Sequence, residues 1–331
     1  MQQSSTIRVG IIGLGVIGEN VLNAFLKLTD IKVVAICDVI EDRVKTISEQ
    51  INGVAWYTNH MELTKRPDID LIYVAVPPKY HHQIALDVIA AGKHIFCEKP
   101  LANSLIEARE MAEHAKQAGV IHAMNFPVYY KNVFKEIQNR LSSGSIGEVR
   151  RVEIMTHFHQ WPREWQQTDW IGGREQGGFV REVLPHYIQL TQALFGKMDR
   201  IESQLEYPDD PTKCETGIIA TMKLANGNSV LINGLSQIGQ EEQIQFVIYG
   251  SKGTIALVNW GRLEVGKYNE LSAEITVEPN DSTQDLITNL VRAINGKDAD
   301  LVDFEAGYEV QRVLEALLQK ESYVNECVNR A

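Results

Sequence analysis

Two hydrophobic periods alternate along the first 126 residues. Arg8-Val9-Gly10-Ile11-Ile12 is a continuous apolar run, as a strand covered on both faces requires, and Val21, Leu22, Phe25, Leu26 and Leu28 then recur at helical spacing. The second apolar run, Val33-Val34-Ala35-Ile36-Cys37, ends on Asp38. A helix over residues 41–50, a short strand near 54–57 and a helix ending before Pro67 follow. Asp70-Leu71-Ile72-Tyr73-Val74-Ala75-Val76 predicts a buried strand, stopped by Pro77-Pro78 because proline cannot donate to a ladder. Residues 81–92 form a helix with Ile84, Ala85, Val88 and Ile89 on one face, and His94-Ile95-Phe96-Cys97 is the next strand. Ser104-Leu105-Ile106-Glu107 has the pattern of a capping box, opening a helix that runs to Gly119, and residues 120–126 give a sixth strand. Strands alternating with helices predict an α/β Rossmann domain, a doubly wound parallel sheet over residues 1–126.

The texture changes after that. Val133, Phe134, Ile137 and Leu141 mark a helix ending in Ser143-Gly144-Ser145-Ile146-Gly147. Alternating strands are predicted over 149–159, 201–206, 217–224, 229–235, 242–249 and 253–258, with Ala225-Asn226-Gly227-Asn228 as a hairpin turn, and helices over 283–295 and 304–321 close the chain. Residues 127–331 thus read as an α+β domain for substrate binding and oligomerisation, with a large, mostly antiparallel open sheet; the closing helices are free to pack back on the first domain. On the strand 217–224, Ile218, Ala220 and Met222 alternate with Ile219, Thr221 and Lys223, so both faces carry apolar side chains. A sheet of that kind needs a second cover, which a partner subunit commonly supplies.

Composition narrows the class. At 331 residues, with 44% hydrophobic and 23% charged side chains, the chain has the make-up of an ordinary globular protein with room for two domains. A formal charge of −11 argues against nucleic acid and anionic membranes as partners, and no apolar stretch approaches the roughly 20 residues that span a bilayer. Met1-Gln2-Gln3-Ser4-Ser5-Thr6 lacks the basic and apolar regions of a secretory signal, and Cys37, Cys97, Cys214 and Cys327 are scattered without a C-x-x-C pair. Reduced structural thiols in a cytoplasmic protein are expected.

Gly13-Leu14-Gly15-Val16-Ile17-Gly18 sits between the first strand and the first helix, and Asp38 stands twenty residues past its last glycine. This is the dinucleotide fingerprint: a glycine for the tight turn, one for close approach of backbone amides to a pyrophosphate, and one for packing of helix on strand. A carboxylate after the second strand accepts from the adenosine ribose and repels a 2′-phosphate, so NAD is favoured over NADP. Gly13, Gly15, Val16, Ile17, Gly18, Asp38 and Val39 are the cofactor-binding candidates, and Arg43 reads as a solvated residue of the next helix.

Gly92-Lys93-His94-Ile95-Phe96-Cys97-Glu98-Lys99-Pro100-Leu101-Ala102 resembles the E-K-P segment of the Gfo/Idh/MocA oxidoreductases, the family of glucose-fructose oxidoreductase and inositol dehydrogenase. The likeness extends to Val74-Ala75-Val76-Pro77-Pro78 with His81, to Ile146-Gly147-Glu148, to Tyr249-Gly250-Ser251-Lys252-Gly253-Thr254 and to residues 302–310. It implies that Lys99 is catalytic and that Val76, Pro77, Pro78, His81, Glu98, Lys99 and Asn125 join the cofactor-binding set. By residue chemistry alone, Lys99 lies just beyond the carboxyl end of a parallel strand, where it can steady charge on a substrate oxygen; the alternative is a loop lysine balancing Glu98. Glu98 reads as an organiser of Lys99 and of the cofactor ribose.

Gly177-Gly178-Phe179-Val180-Arg181-Glu182-Val183-Leu184-Pro185-His186 resembles the family's glycine pair followed by an acid and, four residues on, a histidine. Histidine suits proton transfer near neutral pH, so His186 and Glu182 are catalytic candidates against a structural histidine. Glu182 stands where the family more often has Asp, and Pro185 starts a helix near Leu184, which can leave the acid outside it. Trp161, Trp165 and Trp170 crowd a segment with His157, His159, Arg163 and Asp169, the chemistry of a polyol pocket or its lid; an aromatic interface is the other reading. His157 and His159 share a strand face but have no third partner at a supportive spacing, and no metal is expected. Asn125-Phe126-Pro127 lacks the family's arginine, whose contacts Lys131 or Arg163 would have to meet.

The substrate-binding set is therefore Lys99, Asn125, His157, Trp161, Arg163, Trp165, Trp170 and His186. The expected activity is NAD-dependent hydride transfer to or from a secondary alcohol of a sugar, sugar derivative or cyclitol, His186 taking the hydroxyl proton and Lys99 steadying the alkoxide. An enzyme that retains NAD for net non-redox chemistry, such as glycoside cleavage, and a non-catalytic NAD or sugar sensor are the alternatives. Family members pair through the open sheet, which implies a homodimer or homotetramer.

Overall fold

The computed structural model describes residues 6–166 and 168–319. The amino-terminal residues 1–5, Cys327 and the predicted helix beyond 319 lie outside these. Residues up to Asn125, together with Thr283–Tyr308, form one compact unit, and Phe126–Ser282 with the chain from Glu309 forms the other.

In the first unit, strands β1 (Ile7–Ile12), β2 (Ile31–Cys37), β3 (Ala55–Tyr57), β4 (Leu71–Val74), β5 (His94–Cys97) and β6 (His122–Met124) alternate with helices α1 (Val16–Leu26), α2 (Glu41–Gln50), α3 (His60–Thr64), α4 (His81–Ala90) and α5 (Leu105–Ala118). The sheet is parallel, in the order β3-β2-β1-β4-β5-β6. The order reverses between β1 and β4, so loops leaving the carboxyl ends of these two strands diverge and open a crevice there. Covering on both faces explains the unbroken apolar runs: every residue of β4 is buried. The predicted capping box forms with a one-residue variation. Ser104 Oγ accepts from the Glu107 N–H at 3.3 Å, while the Glu107 carboxylate accepts from the N–H of Asn103, the residue before the cap, at 3.2 Å. Such a cap is worth about 1 kcal/mol. Helix α9 (Ser282–Ile294) and the segment after it belong mainly to this unit, where Met124 N–H donates to Val302 O at 2.8 Å and Phe304 N–H to His122 Nδ1 at 3.0 Å, closing the β6 edge.

The second unit opens with α6 (Asn132–Ser142) and holds β7 (Val149–His157), α7 (Phe179–Glu182), α8 (Leu184–Phe195), β8 (Met198–Glu206), β9 (Gly217–Leu224), β10 (Ser229–Leu235), β11 (Gln243–Gly250), β12 (Gly253–Val258), β13 (Arg262–Lys267) and β14 (Ala273–Ile275). These strands form one sheet of eight among the described residues, β14-β13-β12-β11-β7-β10-β9-β8, antiparallel except where β10 runs parallel to β7. Two strands escaped the sequence reading. β13 is interrupted by charge and glycine and β14 has three residues, so neither carries a readable alternation; pairing creates them, β13 on β12 and β14 on β13. Helix α10 (Phe304–Leu317) closes the described chain.

Alternation divides the sheet's faces cleanly. Ile154, Phe246, Ile232, Ile218 and Met222 point inward and are buried, and α8 packs on this face, Tyr187 stacking on Phe246 with centroids 5.9 Å apart. The other face presents Met155, Leu231, Val247 and Ala256 half-buried and Ile219 at 53% exposure, mixed with Thr221, Lys223 and Glu153. Beneath the inner face Arg181 is 2% exposed, with burial pulling its pKa down and the charges of Glu315 and Glu215 opposing that pull. Cys37, Cys97 and Cys214 are free buried thiols, and among the described residues no helix is long and apolar enough to cross a membrane.

Candidate active site

The three fingerprint glycines have three different surroundings, each matching one physical demand. Gly13 has φ +95°, and a Cβ there would overlap the Ala75 carbonyl of the neighbouring strand's loop. A Cβ on Gly18 would overlap the Gly13 carbonyl, so α1 packs onto the turn only because that position is bare. Gly15 has nothing within 4 Å of where its Cβ would lie, and it caps a helix that has no side-chain cap. Open space against uncapped amides at a helix N-terminus is what a pyrophosphate needs, so the residues present fit a dinucleotide. Val16 and Ile17 flank this opening, 57% and 41% exposed.

Asp38, the residue read as the acceptor for the adenosine ribose, is 6% exposed. Its carboxylate accepts from the N–H of Leu14 at 2.8 Å and of Ile40 at 2.9 Å, so it ties the glycine turn to the end of β2. Arg43 lies on the next helix with its side chain 39% exposed, as the sequence suggests, and its guanidinium also reaches to 3.2 Å from Asp38. Residue 43 falls in the first turn of α2, which brings its side chain back over the strand end, a relation that periodicity alone does not reveal. Val39 is 86% exposed beside it.

At the carboxyl ends of β4, β5 and β6, buried polar groups converge. Glu98 Oε1 accepts from the Tyr73 hydroxyl at 2.5 Å and from Asn125 Nδ2. Burial pushes the Glu98 carboxyl above the usual carboxylate range, and the Tyr73 and Asn125 donors, followed by the charge and backbone N–H of Lys99, oppose the rise. Asn125 is 6% exposed, and its Oδ1 has no hydrogen-bond partner among the described residues, a buried acceptor that a ligand N–H or O–H would satisfy. Lys99 itself is half-buried. His81 is fully buried, its ring nitrogens 2.9 Å from Pro100 O and 2.8 Å from Val76 O. Burial lowers its pKa, and a neutral ring donates to one of these carbonyls at a time. His81 therefore braces the loops after β4 and β5, and with no exposed surface it does not reach a cofactor as the sequence reading had it. Val76 and Pro77 stay half-buried at the rim, whereas Pro78 is buried at the start of a 3-10 turn.

In the second unit, Gly177 and Gly178 are bare for steric reasons of their own. A Cβ on Gly177 would overlap the carbonyls of Trp170 and Ile171, and Gly178, at φ +99°, lies against the Glu215 carboxylate. Glu215, pushed up to about 7 by burial, accepts from the Val180 N–H at 2.8 Å at the start of α7. Glu182 ends α7 and His186 lies in the first turn of α8 behind Pro185, so the acid and the histidine do not share a helix. His186 is half-buried in T-shaped contact with Phe126 and Trp260, with centroids 5.6 and 5.4 Å away. Trp260 went unnoticed in the sequence. Its only signal is the Asn259-Trp260-Gly261 turn, where φ of Trp260 is +71° and Lys131 Nζ donates to its carbonyl at 2.7 Å.

The tryptophan segment is distributed differently from expectation. Trp161 is buried against Phe158 and Phe179 and its indole N–H donates to Ile171 O, so it is core rather than pocket wall. Arg163 packs on Phe158, Trp161 and Trp165 and grips Glu242 through two hydrogen bonds of 2.7 and 2.9 Å, which anchors the segment to the sheet. Trp165 is 57% exposed and Trp170 half-buried. His157 alternates onto the outer face of the sheet, in register with Gln243 and Leu235, opposite the face that α8 covers. It is not brought together with His186.

A parallel nucleotide-binding sheet joined to a unit built on an open antiparallel sheet defines an NAD(P)-binding oxidoreductase. Residues 7–126 match the model of an oxidoreductase family with an NAD-binding Rossmann fold, and residues 138–323 match the model of that family's C-terminal alpha/beta domain. The chain belongs to this family, the Gfo/Idh/MocA oxidoreductases. It is 26% identical to a myo-inositol 2-dehydrogenase of Thermotoga maritima, over 75% of this chain and 74% of that protein. Levoglucosan dehydrogenase in complex with NADH has the same fold, with a TM-score of 0.84 at 18% identity over 97% of both chains. So does a biliverdin reductase from Synechocystis in complex with biliverdin and NADP+, with a TM-score of 0.82 at 21% identity over 95% of this chain and 99% of that one.

The glycine surroundings separate ligand binding from folding. Gly15→Ala should keep its melting temperature within about 2 °C yet weaken NADH binding about tenfold or more, while Gly18→Ala should melt several degrees earlier because backbone must move. Thermal melts together with NADH fluorescence titration check both, and unchanged NADH affinity in Gly15→Ala would contradict the placement of the pyrophosphate.

Proposed function

We propose that this protein transfers hydride between NAD and a secondary alcohol or ketone carbon of a sugar, sugar derivative or cyclitol. The observation that carries the reading is the convergence at the carboxyl edge of the parallel sheet. There the open Gly15 turn leaves β1, Lys99 beside Glu98 leaves β5, and Asn125, whose Oδ1 has no hydrogen-bond partner among the described residues, follows β6, all at the same edge of one sheet. A polyol is supported by the aromatic rings of Phe126 and Trp260 beside His186, since sugar C–H faces pack on aromatics, and by the inositol dehydrogenase likeness.

NAD, when bound, accepts or gives the hydride. The residues supply the rest. Lys99 hydrogen-bonds the reacting oxygen and stabilises the charge that develops on it; Glu98 holds Lys99; His186 takes the proton from the hydroxyl in oxidation and returns it in reduction. Glu182 supports the turn that presents His186. Retention of both Lys99 and His186 favours an enzyme over a sensor.

Purified protein with NAD, screened against sugars, inositols and their phosphates, tests the reading. On the best substrate Lys99→Ala should lower kcat about a hundredfold or more, and His186→Asn should depress oxidation most near neutral pH with partial recovery at high pH, where hydroxide substitutes for the base. Near-normal turnover in Lys99→Ala would falsify the assignment of that lysine.

Asp38 supports NAD over NADP, tempered by the Arg43 guanidinium beside it, which offers a 2′-phosphate a partner. Wild type should prefer NAD, and Arg43→Ala should widen that preference by about tenfold by weakening use of NADP. Side-by-side kcat/KM values decide it, and a wild type that prefers NADP overturns the reading of Asp38.

The mixed outer face of the eight-stranded sheet, with Ile219 exposed, supports a second copy as its cover, in a homodimer or a tetramer of dimers. Light scattering at low micromolar concentration should give a multiple of the 37.3 kDa chain mass. A monomeric mass with full activity ends that proposal.

A further inference from the structure

Tyr73 is 0% exposed in the middle of the sheet, stacked on Phe96 with centroids 4.7 Å apart and edge-on to Phe25 at 6.1 Å. Phenylalanine would fill that space as well. The hydroxyl adds nothing to the packing, and removing it from water is unfavourable unless it finds a partner. Its partner is Glu98 Oε1 at 2.5 Å, one residue before Lys99.

The three residues of this cluster come from three adjacent strands. Tyr73 is the penultimate residue of β4, Glu98 follows the last residue of β5 and Asn125 follows the last residue of β6. Backbone bonds hold the same three ends: Glu98 N–H donates to Val74 O at 2.9 Å and Asn125 N–H to Cys97 O at 2.8 Å. One carboxylate oxygen thus takes a donor from the strand on either side. Because an ionised carboxylate only accepts, it also fixes the Asn125 amide, turning Nδ2 inward and leaving Oδ1 as an acceptor.

We propose that Tyr73 is a positioning residue of the active site, anchoring the Glu98 carboxylate beside Lys99 and so setting the charge that Lys99 faces. This rests on the reading of Lys99 as the group that acts on the substrate oxygen. Tyr73 touches neither substrate nor cofactor; it acts through Glu98. Burial opposes the charge on Glu98, and the phenol is one of the two side-chain donors that oppose burial. Without it the carboxyl shifts toward its neutral form, and the ammonium of Lys99 loses a stabilising neighbour.

The test reads Lys99 directly and requires neither substrate nor cofactor. Intact protein is labelled with trace acetic anhydride at pH 8, and the rate at Lys99 is quantified by mass spectrometry for wild type, Tyr73→Phe, Glu98→Gln and the double variant. Thermal melts accompany each. Labelling should be about threefold or more faster in Tyr73→Phe, comparably faster in Glu98→Gln, and no faster again in the double variant. An unchanged rate in Tyr73→Phe overturns the proposal, as does an unchanged rate in Glu98→Gln, which stands as the probe should Tyr73→Phe not fold. A further increase in the double variant also overturns it, because simple loosening of the strand end would add. On the substrate found by the screen, Tyr73→Phe should lower kcat about tenfold and leave NADH affinity within twofold. If Lys99→Ala instead turns over normally, the functional reading fails while the labelling result still reports the Tyr73–Glu98–Lys99 coupling.

Discussion

The first unit depends on one close approach: the Gly13 carbonyl lies where a side chain on Gly18 would have to be, and Gly13 itself presses on the Ala75 carbonyl. Backbone meets backbone at the point where β1, α1 and the loop after β4 come together. This contact sets where α1 begins and therefore where its uncapped amides point. Asp38 adds the third strand by accepting from Leu14, so a residue read as a ligand contact is also a structural clamp on the turn. A buried carboxylate with two backbone donors is well satisfied, which explains why an acid can lie at 6% exposure there.

The second unit solves a similar problem with a carboxylate instead of a carbonyl. Glu215 fills the space left by Gly178 and accepts from Val180, which fixes the turn leading through α7 to Pro185 and His186. Arg181 brings its charge into the same interior, near Glu215 and Glu315; burial opposes the charges of Arg181 and Glu215, and each is supported by the other's opposite charge. Removing one member of such a group leaves another charge buried and unpaired, so these residues are held by one another more than by their solubility.

Both units place the candidate site residues where regular structure stops. Glu98, Lys99 and Asn125 follow the last residues of their strands, and His186 occupies the first helical turn behind a proline. Side chains at such ends project beyond the ladder into the loop region instead of between the covering helices. The interior directly behind them is dense and aromatic: Tyr73, Phe96 and Phe25 behind Glu98, Tyr187 and Phe246 behind His186. Rigid packing there limits how far the working groups can drift.

The sequence by itself determined the order of elements, the parallel and antiparallel characters of the two sheets, the glycine turn with Asp38, and the placement of Lys99 and His186 at element ends. These follow from period, punctuation and spacing, which are local properties of the chain. Only the tertiary structure decided which partners those residues meet. Arg43 reaches Asp38, Trp260 rather than Trp161 stands beside His186, His157 turns to the outer sheet face, and His81 is enclosed between two carbonyls. The weak strands β13 and β14 likewise exist only through the neighbour that pairs with them. Contacts such as Tyr73 to Glu98 or Val180 to Glu215 join residues 25 and 35 positions apart, and no local pattern encodes them. They arise because a buried donor must find an acceptor, and the folded chain decides which acceptor is within reach.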